Sequence, residues 1–142
     1  IPFHLVTVEA VGLMRRALNP SGVVLVNLLA SPEGVASRFY QALYATFATA
    51  FAEVQAYAVH DPADRERWQN LVLAALTGPS PATRPDDPVL QSLLANTLPP
   101  PVTTIPPFTL RHACVAQWPD NRATRSPAGP PESVPVPQRT SM

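Results

Sequence analysis

Residues 20–29 read Pro-Ser-Gly-Val-Val-Leu-Val-Asn-Leu-Leu. The Pro-Ser-Gly turn leads directly into an apolar run from Val23 to Leu29, which only Asn27 interrupts. A strand with one solvated face would alternate polar and apolar side chains, whereas a continuous, valine-rich run is typical of a parallel strand covered by helices on both faces. The stretch therefore predicts a strand of an α/β sheet, with chemistry expected at strand C-terminal ends, near Asn27 and Ser31.

The segments on either side of this strand predict helices. Thr7 is placed to cap the first helix, Glu9 lies in its first turn, and Asn19-Pro20 ends it, since a residue before proline avoids the helical region. A second helix is predicted to start at Ser31-Pro32-Glu33, which offers a cap, a proline at the first helical position and an acid. This helix should run to about Ala50.

The second helix has an apolar face, and two strands are expected to follow it. Residues 54–59 and 69–76 predict two strands that a short polar loop joins, as in an antiparallel hairpin at the end of the sheet. Residues 87–96 predict one more short helix, with Asp87 as its cap and Pro88 at its first position. The side chains of the second helix that we expect in the core are Val35, Phe39, Tyr40, Leu43, Tyr44 and Phe47.

Proline divides the chain into three parts. Most of the 19 prolines lie at or after Pro79, so we expect an ordered part at residues 1–76, a linker at 77–97 and an irregular, disordered tail at 98–142. The predicted hairpin gives strand 23–29 a neighbour on one side only, and a bare edge would expose unpaired backbone groups. We therefore expect its other neighbour to come from an N-terminal half that is missing or that another chain supplies.

Composition excludes several classes of function. The net charge of +0 gives no basic field for nucleic acid. The single cysteine, Cys114, allows neither an internal disulfide nor a cysteine-rich metal site, and we interpret it as an inert thiol. His4, His60 and His112 lack the spacing of metal ligands, so no metal is expected. No apolar run reaches the roughly 18 residues of a membrane span.

Three segments resemble motifs of the spermidine synthase-like (polyamine aminopropyltransferase) family, in the same order and spacing. They are Pro-Phe-His-Leu-Val-Thr-Val-Glu at 2–9, Leu-Asn-Pro-Ser-Gly-Val-Val-Leu-Val-Asn at 18–27, and Trp-Gln-Asn-Leu-Val-Leu-Ala at 68–74. They are similar to an HLxTxE-like segment, an L-x-P-x-G-V turn and a QN-L-V-L strand. The resemblance covers residues 1–76, and the element order resembles the C-terminal half of the Rossmann-like class I methyltransferase fold.

The resemblance implies transfer of an aminopropyl group from decarboxylated S-adenosylmethionine to a polyamine such as putrescine. A carboxylate acts as the base, because the ammonium nucleophile must lose a proton before it attacks. The family's glycine-rich nucleotide loop, ribose-binding acid and catalytic aspartate precede the matching region. The resemblance therefore implies a fragment that is inactive alone, with no catalytic residue and no cofactor of its own. The full-length parent is expected to be a homodimer in the cytoplasm or at the cytoplasmic face of a membrane.

Five residues are candidates for lining the substrate or cofactor pocket: His4, Leu5, Asn27, His60 and Asp61. His4 and Leu5 precede the first helix, where the resemblance places the end of the active-site loop. A buried Asn27 must either bond to neighbouring backbone or face a pocket. His60 and Asp61 stand where spermidine synthases carry a Pro-Thr-Tyr-Pro-like loop at the polyamine site, a departure that puts putrescine as substrate in question. The alternatives are a backbone-bonded His4 and a solvated turn at residues 60–61.

Other interpretations stay open. A methyltransferase would use the same sheet with S-adenosylmethionine, and a non-enzymatic module would dock through the hairpin and the Pro-rich tail.

In the family an Asp-Asp-aromatic-x-Pro segment follows the hairpin, and this chain has Val102–Thr109 instead. The codons of that segment, read one base earlier, permit Asp-Asp-Tyr-Ser-Pro-Val-Tyr, so a frameshift near residue 98 is a hypothesis that the encoding DNA decides. Trp68 is expected to pack over the hairpin.

Overall fold

The computed structural model describes residues 1–80 and 85–113, and Cys114 and the rest of the tail lie outside them. The fold is mixed α/β, with the predicted order of helix, strand, helix, strand, strand. Single 3-10 turns precede the first and second helices, at Phe3–Leu5 and Val35–Ser37. The helices and strands are α1 (Val8–Ala17), β1 (Val23–Ala30), α2 (Arg38–Ala48), β2 (Glu53–Ala58), β3 (Gln69–Leu76), α3 (Pro88–Ala95), β4 (Thr97–Leu98) and α4 (Leu110–Ala113).

The four strands form one sheet in the order β1-β3-β2-β4. β3 lies between β1 and β2 and is antiparallel to both, so β1 and β2 run parallel to each other. The predicted hairpin of β2 and β3 is confirmed. No sequence pattern predicted β4, which pairs with β2 through Ala56 and Leu98. Every pairing in the sheet is antiparallel, whereas the apolar run of β1 predicted a central parallel strand.

One face of the sheet carries the hydrophobic core. The helices α1 and α2 cover this face, and their apolar side chains interdigitate with alternate residues of the strands. The aromatic residues of α2 behave as predicted, because Tyr40 and Phe47 are buried while Phe39 and Tyr44 are partly buried against the core. The largest apolar side chains of the core are Leu28, Tyr40, Leu43, Phe47, Phe51, Leu71, Leu73 and Leu98.

The opposite face of β1 is open, in contrast to the prediction that helices cover both faces. Leu25 and Leu29 on this face are 65% and 57% exposed, and Val23 is exposed as well. Asn27 shares the face and is exposed. β1 is also an edge strand, because β3 is its one partner in the described part of the chain. The apolar run indicates that both faces of β1 are suited to burial, but it does not specify which element covers each face.

The second helix begins later than its sequence predicts. Ser31 does not cap it, since the Ser31 hydroxyl donates to the carbonyl of Glu33 at 2.9 Å. Gly34 then adopts a φ of 76°, a left-handed conformation that interrupts any helix and that glycine adopts without strain. A 3-10 turn follows, and α2 starts only at Arg38. Val35 consequently lies outside the helix and is 90% exposed, rather than part of the core.

The caps of α1 and α3 are confirmed. The Thr7 hydroxyl accepts from the Ala10 N–H at 3.3 Å, and the Asp87 carboxylate accepts from the Val89 N–H at 2.7 Å. The pKa of Glu9, in the first turn of α1, is lowered mainly by a hydrogen bond from its own backbone N–H. Each side chain satisfies a donor that the first turn of a helix leaves unpaired.

The Pro-rich segment from Pro99 to Thr109 has no regular structure but lies against the helices. The N–H of Phe108 donates to the Thr46 hydroxyl at 2.8 Å, and the carbonyl of Phe108 accepts from the Val8 N–H at 2.8 Å. Its ring lies 5.6 Å from the rings of both Phe3 and Phe39. The segment thereby links the start of α1 to α2. The predicted tail beyond residue 113 lies outside the described residues.

Candidate functional site

The C-terminal ends of β1 and β2 meet at one edge of the sheet, because the two strands are parallel. Two loops leave this edge, one from Ser31 to Ser37 and the other between β2 and β3. The loops are joined at their backbones, since the Glu33 N–H donates to the carbonyl of Arg65 at 2.8 Å. Their side chains also form an ion pair, with 3.8 Å between the Arg65 Nη1 and the Glu33 Oε1.

A buried amide holds the β2–β3 loop in place. Gln69 is the first residue of β3 and is 2% exposed. Its Oε1 accepts from the N–H groups of His60 and Asp61, at 3.2 Å and 3.1 Å. Its Nε2 donates to the carbonyls of Asp61 and Asp64, at 2.8 Å and 3.3 Å. The amide therefore uses both of its donors and both of its acceptor sites on the loop.

His60 and Asp61 lie in this loop, and both side chains are exposed. The Asp61 Oδ1 accepts from the Ala63 N–H at 2.8 Å, which closes a local turn. This is the geometry of the solvated turn that was the structural alternative for the pair. Their assignment to a substrate pocket stays a prediction.

The other three predicted residues lie on different parts of the molecule. His4 and Leu5 form the 3-10 turn before α1 and are exposed on the helical side of the sheet. Asn27 lies on the open face of β1, so it is not the buried amide that the apolar run predicted. His4 and Leu5 thus lie in one turn and His60 and Asp61 lie in another, but the structure does not gather the five residues into one pocket.

A cavity of about 310 Å³ lies beside the two joined loops, and none of the five predicted residues lines it. The loop after β1, the first turn of α2, the β2–β3 loop and the Pro-rich segment each contribute to its wall. The lining residues are Pro32, Glu33, Tyr40, Gln41, Arg65, Leu98, Pro99, Pro100, Pro101 and Val102. A smaller cavity of about 160 Å³ lies at α3 and has no charged lining residue.

The hydroxyl of Tyr40 is the most unusual polar group near the larger cavity. The residue is 1% exposed, and among the described residues no group forms a hydrogen bond with its hydroxyl. Burial raises the pKa of Tyr40 well above its ordinary value, Tyr44 adds to the shift, and the positive charge of Arg65 opposes it. A buried hydroxyl without a partner costs about 1–3 kcal/mol. The hydroxyl is therefore a neutral donor that lacks an acceptor among the described residues, and it lies behind the surface of the cavity rather than on it.

Sequence reasoning missed the residues that organise this edge of the sheet. The helical spacing of Tyr40 predicts a core aromatic residue, and the structure confirms this. Nothing in the sequence indicates that its hydroxyl is unpaired. Glu33 and Arg65 are far apart in the chain, so only the fold brings them together. Gln69 carried one usable signal, because a polar residue that opens an apolar strand must find partners when it is buried.

Within residues 1–80 and 85–113, no group of 3 or more His, Cys, Asp and Glu side chains is arranged to hold a metal ion. In the same ranges, every helix is too short or too polar to cross a membrane.

Comparison with known proteins identifies a structural relative. The chain matches no protein-family model and no curated protein. Among solved structures it is similar to a probable spermidine synthase from Corynebacterium glutamicum, with a TM-score of 0.50 and 18% sequence identity. The alignment covers 69% of this chain and 36% of that chain. At this identity the likeness shows the fold alone: the chain has a spermidine synthase-like, methyltransferase-type α/β fold.

Proposed function

We propose that residues 1–76 are the C-terminal portion of a spermidine synthase-like aminopropyltransferase domain, which acts only when an N-terminal portion completes it. The arrangement of β1 is the observation that carries the proposal. β1 pairs with antiparallel β3 on one side and has a bare backbone edge on the other. The fold of the probable spermidine synthase and the three sequence segments support the choice of family.

The open face of β1 supports the same proposal. Val23, Leu25 and Leu29 present an apolar surface that water contacts in the described chain. Burial of such side chains stabilises a fold by about 25 cal/mol for each Å² removed from water. An additional strand at the edge, with helices over this face, would turn β1 into the buried strand that its sequence predicts.

The proposed chemistry depends on the N-terminal portion. That portion would bring the nucleotide loop and the carboxylate base, decarboxylated S-adenosylmethionine would be the aminopropyl donor, and a polyamine would be the acceptor. His4, Leu5, Asn27, His60 and Asp61 are the candidates from the sequence for bordering the pocket of the completed domain, and the described part of this chain does not gather them by itself. The chain alone should bind neither decarboxylated S-adenosylmethionine nor methylthioadenosine at micromolar concentrations.

The test begins with the reading frame immediately 5′ of the Ile1 codon. The extended protein, incubated with decarboxylated S-adenosylmethionine and putrescine, should form spermidine and methylthioadenosine, which mass spectrometry detects. The present chain, titrated with the same nucleotides in a calorimeter, serves as the control and should show no micromolar binding. Methylation by S-adenosylmethionine instead would support the methyltransferase alternative. An extended protein that is inactive with both donors would overturn the proposal.

A further inference from the structure

We propose that the cavity beside the β1–α2 and β2–β3 loops binds a small organic carboxylate. Arg65 would pair with the carboxylate group, and the proline wall would hold the apolar body of the ligand. This inference goes beyond the proposed function and does not depend on it.

Arg65 supplies the charge for such a ligand. Its guanidinium lies 3.8 Å from the Glu33 carboxylate, which is longer than a hydrogen bond, and no hydrogen bond from the guanidinium to the described residues is found. Its side chain is 33% exposed, against 62% for Glu33. A planar guanidinium with uncommitted N–H groups matches two carboxylate oxygens in a bidentate pair. Arg65 is thus positioned for a stronger partner than the one it has.

The charge of Arg65, rather than the Tyr40 hydroxyl behind it, indicates the sign of the ligand's charge. That buried hydroxyl is a donor without an acceptor among the described residues, and it lies near enough to Arg65 for the two to interact electrostatically. Arg65 is therefore the accessible donor of the wall, and its positive charge favours a ligand that accepts hydrogen bonds. An amine would instead pair with Glu33, whose exposed carboxylate remains hydrated and gains little from a surface ion pair.

The rest of the wall indicates the ligand's body. Leu98 and the prolines at 99–101 are apolar, and the prolines have no backbone N–H to offer. The volume of about 310 Å³ accommodates about ten water-sized groups. An aromatic or branched aliphatic monocarboxylate has this size, with one polar end and no further polar groups to satisfy.

Three probes of nearly the same shape test the charge preference: benzoate, benzamide and benzylamine. Each is titrated into the full chain at neutral pH, and amide chemical shifts follow binding. We expect benzoate to bind at millimolar concentrations with shifts centred on Gln41 and Arg65, and benzamide to bind at least about tenfold more weakly, as expected for loss of a charge-assisted pair. Benzylamine that binds as tightly as benzoate, or benzoate that causes no shifts at these residues, would overturn the proposal.

Four variants locate the site. Arg65→Gln should weaken benzoate binding at least about tenfold, whereas Arg67→Gln removes the same charge from an exposed residue of the same loop and should leave binding unchanged. Glu33→Gln releases Arg65 from its competitor and should tighten binding. Tyr40→Phe should leave benzoate binding unchanged, because the hydroxyl has almost no accessible surface, and should not lower the melting temperature, which is recorded for every variant. Equal losses in Arg65→Gln and Arg67→Gln, or weaker binding in Glu33→Gln, would contradict the assignment.

Discussion

At the scale of single residues, Gln69 shows how one buried amide fixes a loop that has few other restraints. The β2–β3 loop is mostly exposed. The side chain of Gln69 satisfies two N–H groups and two carbonyls at its base. Each such hydrogen bond contributes about 0.5–1.5 kcal/mol to stability. Arg65, the cation of the proposed carboxylate site, depends on this loop for its position.

Replacement of Gln69 tests this role. We expect Gln69→Ala to lower the free energy of unfolding by about 2–4 kcal/mol, because it removes four partly buried hydrogen bonds and leaves a void where the buried side chain was. Urea denaturation measures the loss. Gln91→Ala is the matched control, since Gln91 is exposed on α3 and bonds one carbonyl, that of Pro85. A loss for Gln69→Ala no larger than that of the control would show that the loop is held by other contacts.

The buried hydroxyl of Tyr40 makes stability depend on alkaline pH. Burial raises the pKa of Tyr40, so above about pH 10 the unfolded chain releases a proton that the folded chain retains. Stability therefore falls as the pH rises above 10, with a slope of up to about 1.4 kcal/mol per pH unit from this group. Tyr40→Phe should be as stable as the wild type or more stable near pH 8, and its stability should fall less steeply above pH 10. Identical pH profiles from urea titrations would contradict this expectation.

At the scale of secondary structure, the features that depend on neighbouring residues were predicted better than those that depend on contacts between separate elements. The caps at Thr7 and Asp87 and the bounds of β3 at residues 69–76 follow from neighbours within a few residues, and all three are confirmed. Trp68 was expected to pack over the hairpin and is instead 60% exposed. The two residues of β4 pair only because the chain returns to β2. Such features depend on how elements meet, which no short window of sequence contains.

The open face and edge of β1 predict self-association of this chain. An eight-residue edge strand with neither charge nor proline is a template for pairing with another chain. Leu25→Lys should reduce association, measured by light scattering, because it places a charge on the exposed apolar face. Leu13→Lys is the control, since Leu13 is similarly exposed, at 61% against 65%, but lies on α1. If both variants reduce association equally, general charge rather than the strand is responsible.

At the scale of the whole molecule, the Pro-rich segment joins the two ends of the described chain. Phe108 bonds through its backbone to α1 and to Thr46 of α2, and its ring completes a cluster with Phe3 and Phe39. Composition predicted the absence of helix and strand in this segment, but a composition rich in proline does not reveal where one aromatic side chain packs. The frameshift hypothesis is tested by sequencing the encoding DNA.

Truncation of that aromatic side chain tests the link. We expect Phe108→Ala to lower the free energy of unfolding by about 2–3 kcal/mol, somewhat less than for a fully buried phenylalanine, with a lower melting temperature in calorimetry. Val102→Ala, in the same segment, should have no effect because Val102 is fully exposed, at 101%. If the Phe108→Ala protein has the same melting temperature as the wild type, the segment does not stabilise the helices.

The central position of β3 has a consequence for synthesis. β1 and β2 cannot contact each other, and both wait for a strand that the ribosome makes after them. Until the codon for Leu76 has been translated and the nascent segment has left the exit tunnel, β1 lacks β3, its one partner strand in the described part of the chain. Sheet formation in this chain is therefore a late, long-range event, and such pairings form slowly. The interval before it is the time when a ribosome-associated chaperone would be of most use.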